Sequence, residues 1–257
     1  MFDSHCHLDF PEFDSDRAEL LADARRQGIV GFVVPGVHAG LWSAQEALKS
    51  EPDVYLAAGL HPWWLPEAGA IDVTLAELEA RARRIGAVAI GECGLDAKRS
   101  QTTLADQVPW FEGQLDLART LQLPVILHQV GAREEFLRVL ERVGRLPRAG
   151  VVHAFSGDAD WARALLARGF FLGFGASLSA PNRHRLRQAL LAVPEDRLLL
   201  ETDAPAGSRP GQRSVPADLV SICREVAGVR ALPAAQVAQQ CDANLATLFG
   251  IARALEA

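Results

Sequence analysis

Lysine occurs only twice in these 257 residues, tyrosine and methionine once each, and cysteine four times. Cys6, Cys93, Cys223 and Cys241 form no C-x-x-C pair and are too sparse for a secreted disulfide scaffold, so we read them as reduced thiols. No stretch approaches the roughly 20 apolar residues that span a bilayer, and the N-terminus carries Asp3 and two histidines instead of a basic, then apolar, leader. A cytoplasmic protein with no membrane partner is the expectation. Basic residues are also in deficit: 26 Lys and Arg against 32 Asp and Glu leave a net charge of −6. A broad nucleic-acid-binding face is therefore not expected, and an anionic substrate has to be gripped locally. Linkers, low-complexity tracts and internal repeats are absent too, which points to one domain over residues 1–257.

What the chain does have is a large apolar content, 49%, arranged in short runs. They are MFDSHCH, IVGFVVPG from Ile29, VYLAAGLH from Val54, AVAIGE from Ala87, PVILH from Pro124, GVVHAF from Gly150, GFFLGFG from Gly169 and LLLETD from Leu198. Amphipathic segments lie between them. DRAELLADARRQG begins near Asp16 and ends at Gly28, and TLAELEARARRIG offers Thr74 and Glu77 as a capping box. Strands apolar on both faces, alternating with helices, make a covered parallel sheet, and eight such units predict an α/β fold: a closed (β/α)8 TIM barrel. A doubly wound open sheet is the alternative. The Pro- and Gly-rich APAGSRPGQRSVP from Ala204 reads as a long loop after the last strand.

On this frame the ligand-capable side chains fall at C-terminal strand ends: His5 and His7 on strand 1, His61 on strand 3, Glu92 on strand 4, His128 on strand 5, His153 on strand 6 and Asp203 on strand 8. In a barrel those ends converge on one mouth, where active sites are built. So many metal-binding side chains at one edge predict a metal site. Strand alternation puts His5 and His7 on one face and turns Cys6 away, and it likewise turns Cys93 away from Glu92, so neither thiol is expected to be a ligand. His38 and His184 lie outside this pattern and read as ordinary packing or surface residues.

DSHCHLDF, GLHP around His61, GECGLD from Gly91, LH at Leu127, VVHAFSG from Val151, ETDAP from Glu201 and NLATLF from Asn244 together resemble the TatD-type metal-dependent hydrolases, the deoxyribonuclease family, and most of all its YjjV-like branch. The resemblance implies an amidohydrolase-like barrel, two divalent metals and hydrolysis of phosphodiesters, often from a nucleic-acid end. It also implies a ligand set: His5, His7, Glu92 and Asp203 for one ion, and Glu92, His128 and His153 for the other.

Simple chemistry agrees with that implication. Two close cations need a bridging anion, and Glu92 is the carboxylate in the middle of the series. Asp203 is the expected general base, and His61 a contact to substrate or leaving group. Asp96 is a candidate to orient a ligand histidine, and Trp63 and Trp64 are candidates to stack on a base. Arg133, Arg209 and Arg213 are the expected substrate-binding cations. Relative to the family, Gln129 and Val130 stand where Ser-Arg usually follows the strand-5 histidine, Ser214 and Val215 replace an Asn and a charged residue, and Ala97, Lys98 and Arg99 replace the aromatic after GLD.

Three functions compete on these residues. They are a phosphodiesterase acting exonucleolytically on DNA ends or short strands, a two-metal hydrolase of another ester or amide such as an aminoacyl ester, and a non-catalytic metal-binding protein. The first is the expectation. Against the second, amide-cleaving relatives often bridge their metals through a carboxylated lysine on strand 4, whereas the only lysines here are Lys49 and Lys98. Zinc, manganese and nickel suit a histidine–carboxylate site, magnesium tolerates one less readily, and a monomer is expected.

Overall fold

The computed structural model describes residues 1–206 and 213–251. Along the chain run β1 (Phe2–Asp3), α1 (Arg17–Arg26), β2 (Gly31–Val34), α2 (Trp42–Ala47), β3 (Val54–Leu56), α3 (Ile71–Ile85), β4 (Ile90–Asp96), α4 (Leu104–Leu121), β5 (Val125–Val130), α5 (Arg133–Val143), β6 (Gly150–Val152), α6 (Ala159–Leu166), β7 (Phe171–Phe174), α7 (His184–Ala192), β8 (Leu198–Leu200), α8 (Leu219–Arg230) and α9 (Ala234–Phe249). All eight expected strands are present. None of the described helices is long and apolar enough to cross a membrane.

The backbone groups into two compact units, residues 1–34 with 153–257, and residues 35–152. In the first, β1 pairs with β2 and β7 with β8, both in parallel, and the backbone of Ser4 donates to Leu200, so β8 also neighbours β1. Helix α9 lies against β8 and β1, where the Asn244 amide donates to the carbonyls of Glu195 and Leu198 and fixes the start of β8. In the second, β4 pairs in parallel with β5 and β5 with β6, and an Ala58–Ile90 bridge sets the β3 segment beside β4. The strand residues are buried almost without exception, as fully covered parallel strands require.

Some local expectations need correction. Helix α3 starts at Ile71 after an extended Ala70, so Thr74 lies inside it, and its hydroxyl donates to the Ala70 carbonyl instead of capping with Glu77. The capping box is on α4, where Thr103 and Asp106 exchange side-chain and backbone hydrogen bonds. Strand 4 does not end at Glu92. It runs on to Asp96 with a register shift between Ile90 and Cys93, and in that bulge the Glu92 amide donates to Gly36. A bulge re-aims a side chain without ending the strand. Strand 5 likewise continues two residues beyond His128. His5 and His7 lie past the end of β1, in backbone shared between neighbours: Cys6 donates to Val33, His7 to Ala204, and Asp203 to His5.

Candidate metal centre

In the first unit, the segments after β1 and β8 bring His5, His7 and Asp203 together. The two Nε2 atoms stand 3.2 Å apart, with the Asp203 Oδ1 at 3.6 Å from His5 and 3.3 Å from His7. Ligands at about 2.1 Å from a tetrahedral ion stand roughly 3.4 Å apart, so this donor set fits a divalent cation. Burial pushes the Asp203 carboxyl up, but the hydrogen bond to His7 and the charges of His153, His5 and His7 outweigh it, and the group lies below the usual carboxylate range. His153 stacks on His5 with ring centroids 4.0 Å apart.

Two buried carboxylates that sequence reasoning missed hold these groups. Asp3 accepts from the His5 amide at 3.3 Å and from the amide and hydroxyl of Thr202 at 3.0 and 2.6 Å, tying the His5 segment to the Asp203 segment. Burial pushes its carboxyl up to about 7, against those hydrogen bonds. Glu201 accepts from the Ala154 amide and stands 3.7 Å from the His153 Nδ1. Gly173 leaves room for it, since a Cβ there would fall 2.2 Å from the Glu201 carboxylate. The available signal was a second acidic residue at each strand exit, Asp3 before HCH and Glu201 before TD.

In the second unit, Glu92 Oε1 lies 2.9 Å from His128 Nδ1 and 3.3 Å from His61 Nε2, all three buried. The other nitrogen of His128, Nε2, is 3.2 Å from Asp96 Oδ2. His128 thus stands between two carboxylate oxygens, and a neutral imidazole has one N–H to donate, so one of the two pairs is left with a ring lone pair facing a carboxylate oxygen. A cation bound there satisfies both acceptors, which is how this donor set fits a metal. Burial would raise Asp96, but hydrogen bonds from His128, the Arg99 and Lys98 amides and the Trp63 indole hold it well below the usual range. In His61 the Nδ1 accepts from the Trp63 amide at 3.1 Å, so in a neutral ring the proton sits on Nε2, which faces Glu92.

Helix α4 holds this set by two glutamines seven residues apart on its buried face. Gln114 accepts from the Leu60 amide and donates to the Leu60 carbonyl, next to His61, and Gln107 does the same to Asp96. Sequence reasoning missed both, although two polar residues on a stripe with Phe111 and Leu115 were the signal. Replacing Gln107 or Gln114 by Leu should leave buried backbone groups unpaired, at about 1–3 kcal/mol for each group. Urea unfolding should therefore show a clearly lowered midpoint, and an unchanged one would show that the clamps do not hold these segments.

The remaining candidates fall out as follows. Trp63 donates from its indole to Asp96 at 2.7 Å, and Trp64 is half-buried beside it. Arg213 is engaged by the Asp16 carboxylate, the Glu12 carbonyl and the Phe13 ring, which occupies its guanidinium on the first unit's own loop. Arg133 is exposed at the start of α5, and Arg209 lies outside the described residues. Val130 ends β5, and the Ser214 hydroxyl donates to Asp218, bracing the start of the segment before α8. Cys6 and Cys93 are buried with thiol pKa values pushed up chiefly by that burial, and His38 pairs with Glu67.

Parallel α/β architecture with imidazole–carboxylate sets at its strand exits is that of a metal-dependent hydrolase. The chain belongs to the TatD-related DNase family, whose model matches residues 2–250. It is 34% identical over 255 residues to the uncharacterized metal-dependent hydrolase YjjV of Escherichia coli, covering 97% of both chains. It is 36% identical over 260 residues to the 3′-5′ ssDNA/RNA exonuclease TatD of Erwinia billingiae, covering 97% of this chain and 98% of that one. The crystal structure of Escherichia coli YjjV superposes with a TM-score of 0.91 over 98% of each chain, at 34% identity. A TatD-family hydrolase from Entamoeba histolytica, at 18% identity, superposes with 0.85 over 97% of each. The fold is thus the amidohydrolase-like (β/α)8 barrel expected from the sequence, and the protein is a metal-dependent hydrolase acting on ester bonds.

Proposed function

We propose that this chain hydrolyses phosphodiester bonds at the ends of short single strands of DNA or RNA, with two divalent ions held by His5, His7, Glu92, His128, His153 and Asp203. The carrying observation is His128 held between two carboxylate oxygens, Glu92 Oε1 at 2.9 Å and Asp96 Oδ2 at 3.2 Å, with Asp96 held well below the usual carboxylate range. The similarity to exonucleases that act on single-stranded DNA and RNA supports the substrate class. When bound, divalent ions acidify water and offset charge on a phosphate. The chain's own residues supply the rest. Asp203 is ionised and accepts the proton of the attacking water, and Asp96 holds His128 in one tautomer. His61, beside Glu92, contacts the substrate or the leaving group.

The test is a substrate panel with metal-reconstituted protein: single- and double-stranded DNA, RNA, small phosphoesters and aminoacyl esters. Single strands should be shortened from one end faster than duplexes, and no aminoacyl ester should be cleaved at a comparable rate. The reverse preference would move the protein to the second class of hydrolase.

A further inference from the structure

We infer that Lys98 and Arg99, on the loop leaving β4, form the phosphate-binding subsite of this enzyme, and that they grip backbone phosphates of a single strand next to the scissile bond. The inference rests on the phosphodiesterase reading above and names the groups that would hold the substrate.

Its basis is how this loop is built. After β4, the Ala97 amide donates to the Val130 carbonyl at 2.8 Å, carrying the strand pairing one residue past Asp96. The Asp96 Oδ1 then accepts from the amides of Lys98 and Arg99 at 2.7 and 2.8 Å, a side-chain-closed turn that fixes where both cations start. The Ser100 hydroxyl donates to the Pro62 carbonyl at 2.9 Å and ties the same loop to the His61–Trp63 segment. A pair of exposed cations is thus mounted on a braced loop, not on a free one.

Both side chains lie on the strand-exit side of β4 and β5. The lysine stem lies across Gly131, directly after Val130: a Cβ on Gly131 would come within 3.1 Å of Lys98 Cγ and 3.3 Å of Cε, and the positive φ of +68° there suits glycine. The Arg99 guanidinium stands 5.9 Å from the centroid of Trp63, whose indole donates to Asp96 Oδ2, the oxygen that also faces His128. A continuous line of contacts therefore runs from His128 through Asp96 and Trp63 to Arg99.

Charge completes the case. Neither Lys98 nor Arg99 makes an ion pair with any described carboxylate, whereas the guanidinium of Arg213 is taken up by Asp16. In a chain of net charge −6 with two lysines, one of the two follows Asp96 by two positions, exposed and next to an arginine. An acidic protein that acts on a polyanion needs such a local grip, and a compact ammonium beside a forked guanidinium suits phosphate oxygens.

The test is equilibrium binding of a short fluorescent single strand to the full chain, in chelator so that the strand stays intact, as a function of salt. A methylphosphonate strand, whose backbone is uncharged, is the control. Each phosphate contact adds roughly 0.7 to the slope of log affinity against log salt. Lys98→Ala with Arg99→Ala should flatten the slope by about 1.4 and weaken binding at low salt by roughly tenfold per contact. Lys98→Arg should keep the slope, and the control strand should bind wild type and double variant alike. Wild-type affinity and slope in the double variant, with a normal melting temperature, would overturn the subsite. So would a wild type that binds both strands equally. If that wild type still shortens single strands when metal is restored, the phosphodiesterase reading stands without the subsite. If no metal supports cleavage of any phosphodiester, the reading itself falls.

Discussion

Asp203→Asn should lower the turnover of the metal-loaded enzyme by about 10²- to 10⁴-fold, the usual range for loss of a general base, while metal content falls far less. The amide keeps an oxygen at the same place and the same size, so it can still face the ions, but it cannot take a proton. Backbone bonds set the position independently of the side chain. The Asp203 amide donates to His5 at 2.9 Å, the Ala206 amide to Asp203 at 2.8 Å, and residue 203 itself has φ of 53°. Asn tolerates that left-handed region well, so the substitution adds little strain. Exposure supports the role too: the Asp203 side chain is 28% exposed, against 0% for His5 and 8% for His7. It is the most exposed member of its set. Near wild-type turnover in Asp203→Asn, at normal metal content, would rule it out as the base.

Glu92→Ala should be more damaging to metal binding than any single histidine substitution, and should cost about a thousandfold or more in rate. The carboxylate is buried in the bulge of β4 and faces both His61 and His128, so its removal takes away the negative charge that lies against both imidazoles and leaves Asp96 on the far side of His128. Without it, the attraction for a dication between His61 and His128 is much weakened. Metal analysis of the purified variant distinguishes two outcomes. Loss of one ion per chain limits Glu92 to the set of His128, and weakened binding of both ions supports the shared role expected from its place in the sequence. Unchanged metal content would remove Glu92 from the centre altogether.

Much of this architecture is legible in the amino-acid sequence. The eight apolar runs became eight strands because an apolar, β-branched run bounded by Gly or polar residues has few other ways to bury both faces. His5, His7, His61, Glu92, His128, His153 and Asp203 could be picked out as candidates because few ligand-type side chains lie so regularly near strand exits, and the structure brings His5, His7 and Asp203 together and His61, Glu92 and His128 together. What the sequence hid depends on register and on distant partners. The bulge at Glu92 is set by how β4 meets β5, which no single run reveals. Thr74 and Glu77 have the spacing of a capping box, but the same spacing occurs inside a helix, and Ala70 is where α3 begins. Arg213 looked available until Asp16, nearly 200 positions away in the chain, proved to hold it. Gln107 and Gln114 read as ordinary helix residues until their amides were found matched to two backbone segments of the site.

The measurement that bears most directly on the central claim is a metal titration of chelator-stripped protein, in which bound ions and the rate of single-strand shortening are followed together. Shortening should be absent without metal, rise with occupancy and reach its plateau at two ions per chain. Full activity in the stripped protein, or a plateau at one ion with the second site never filled, would contradict it.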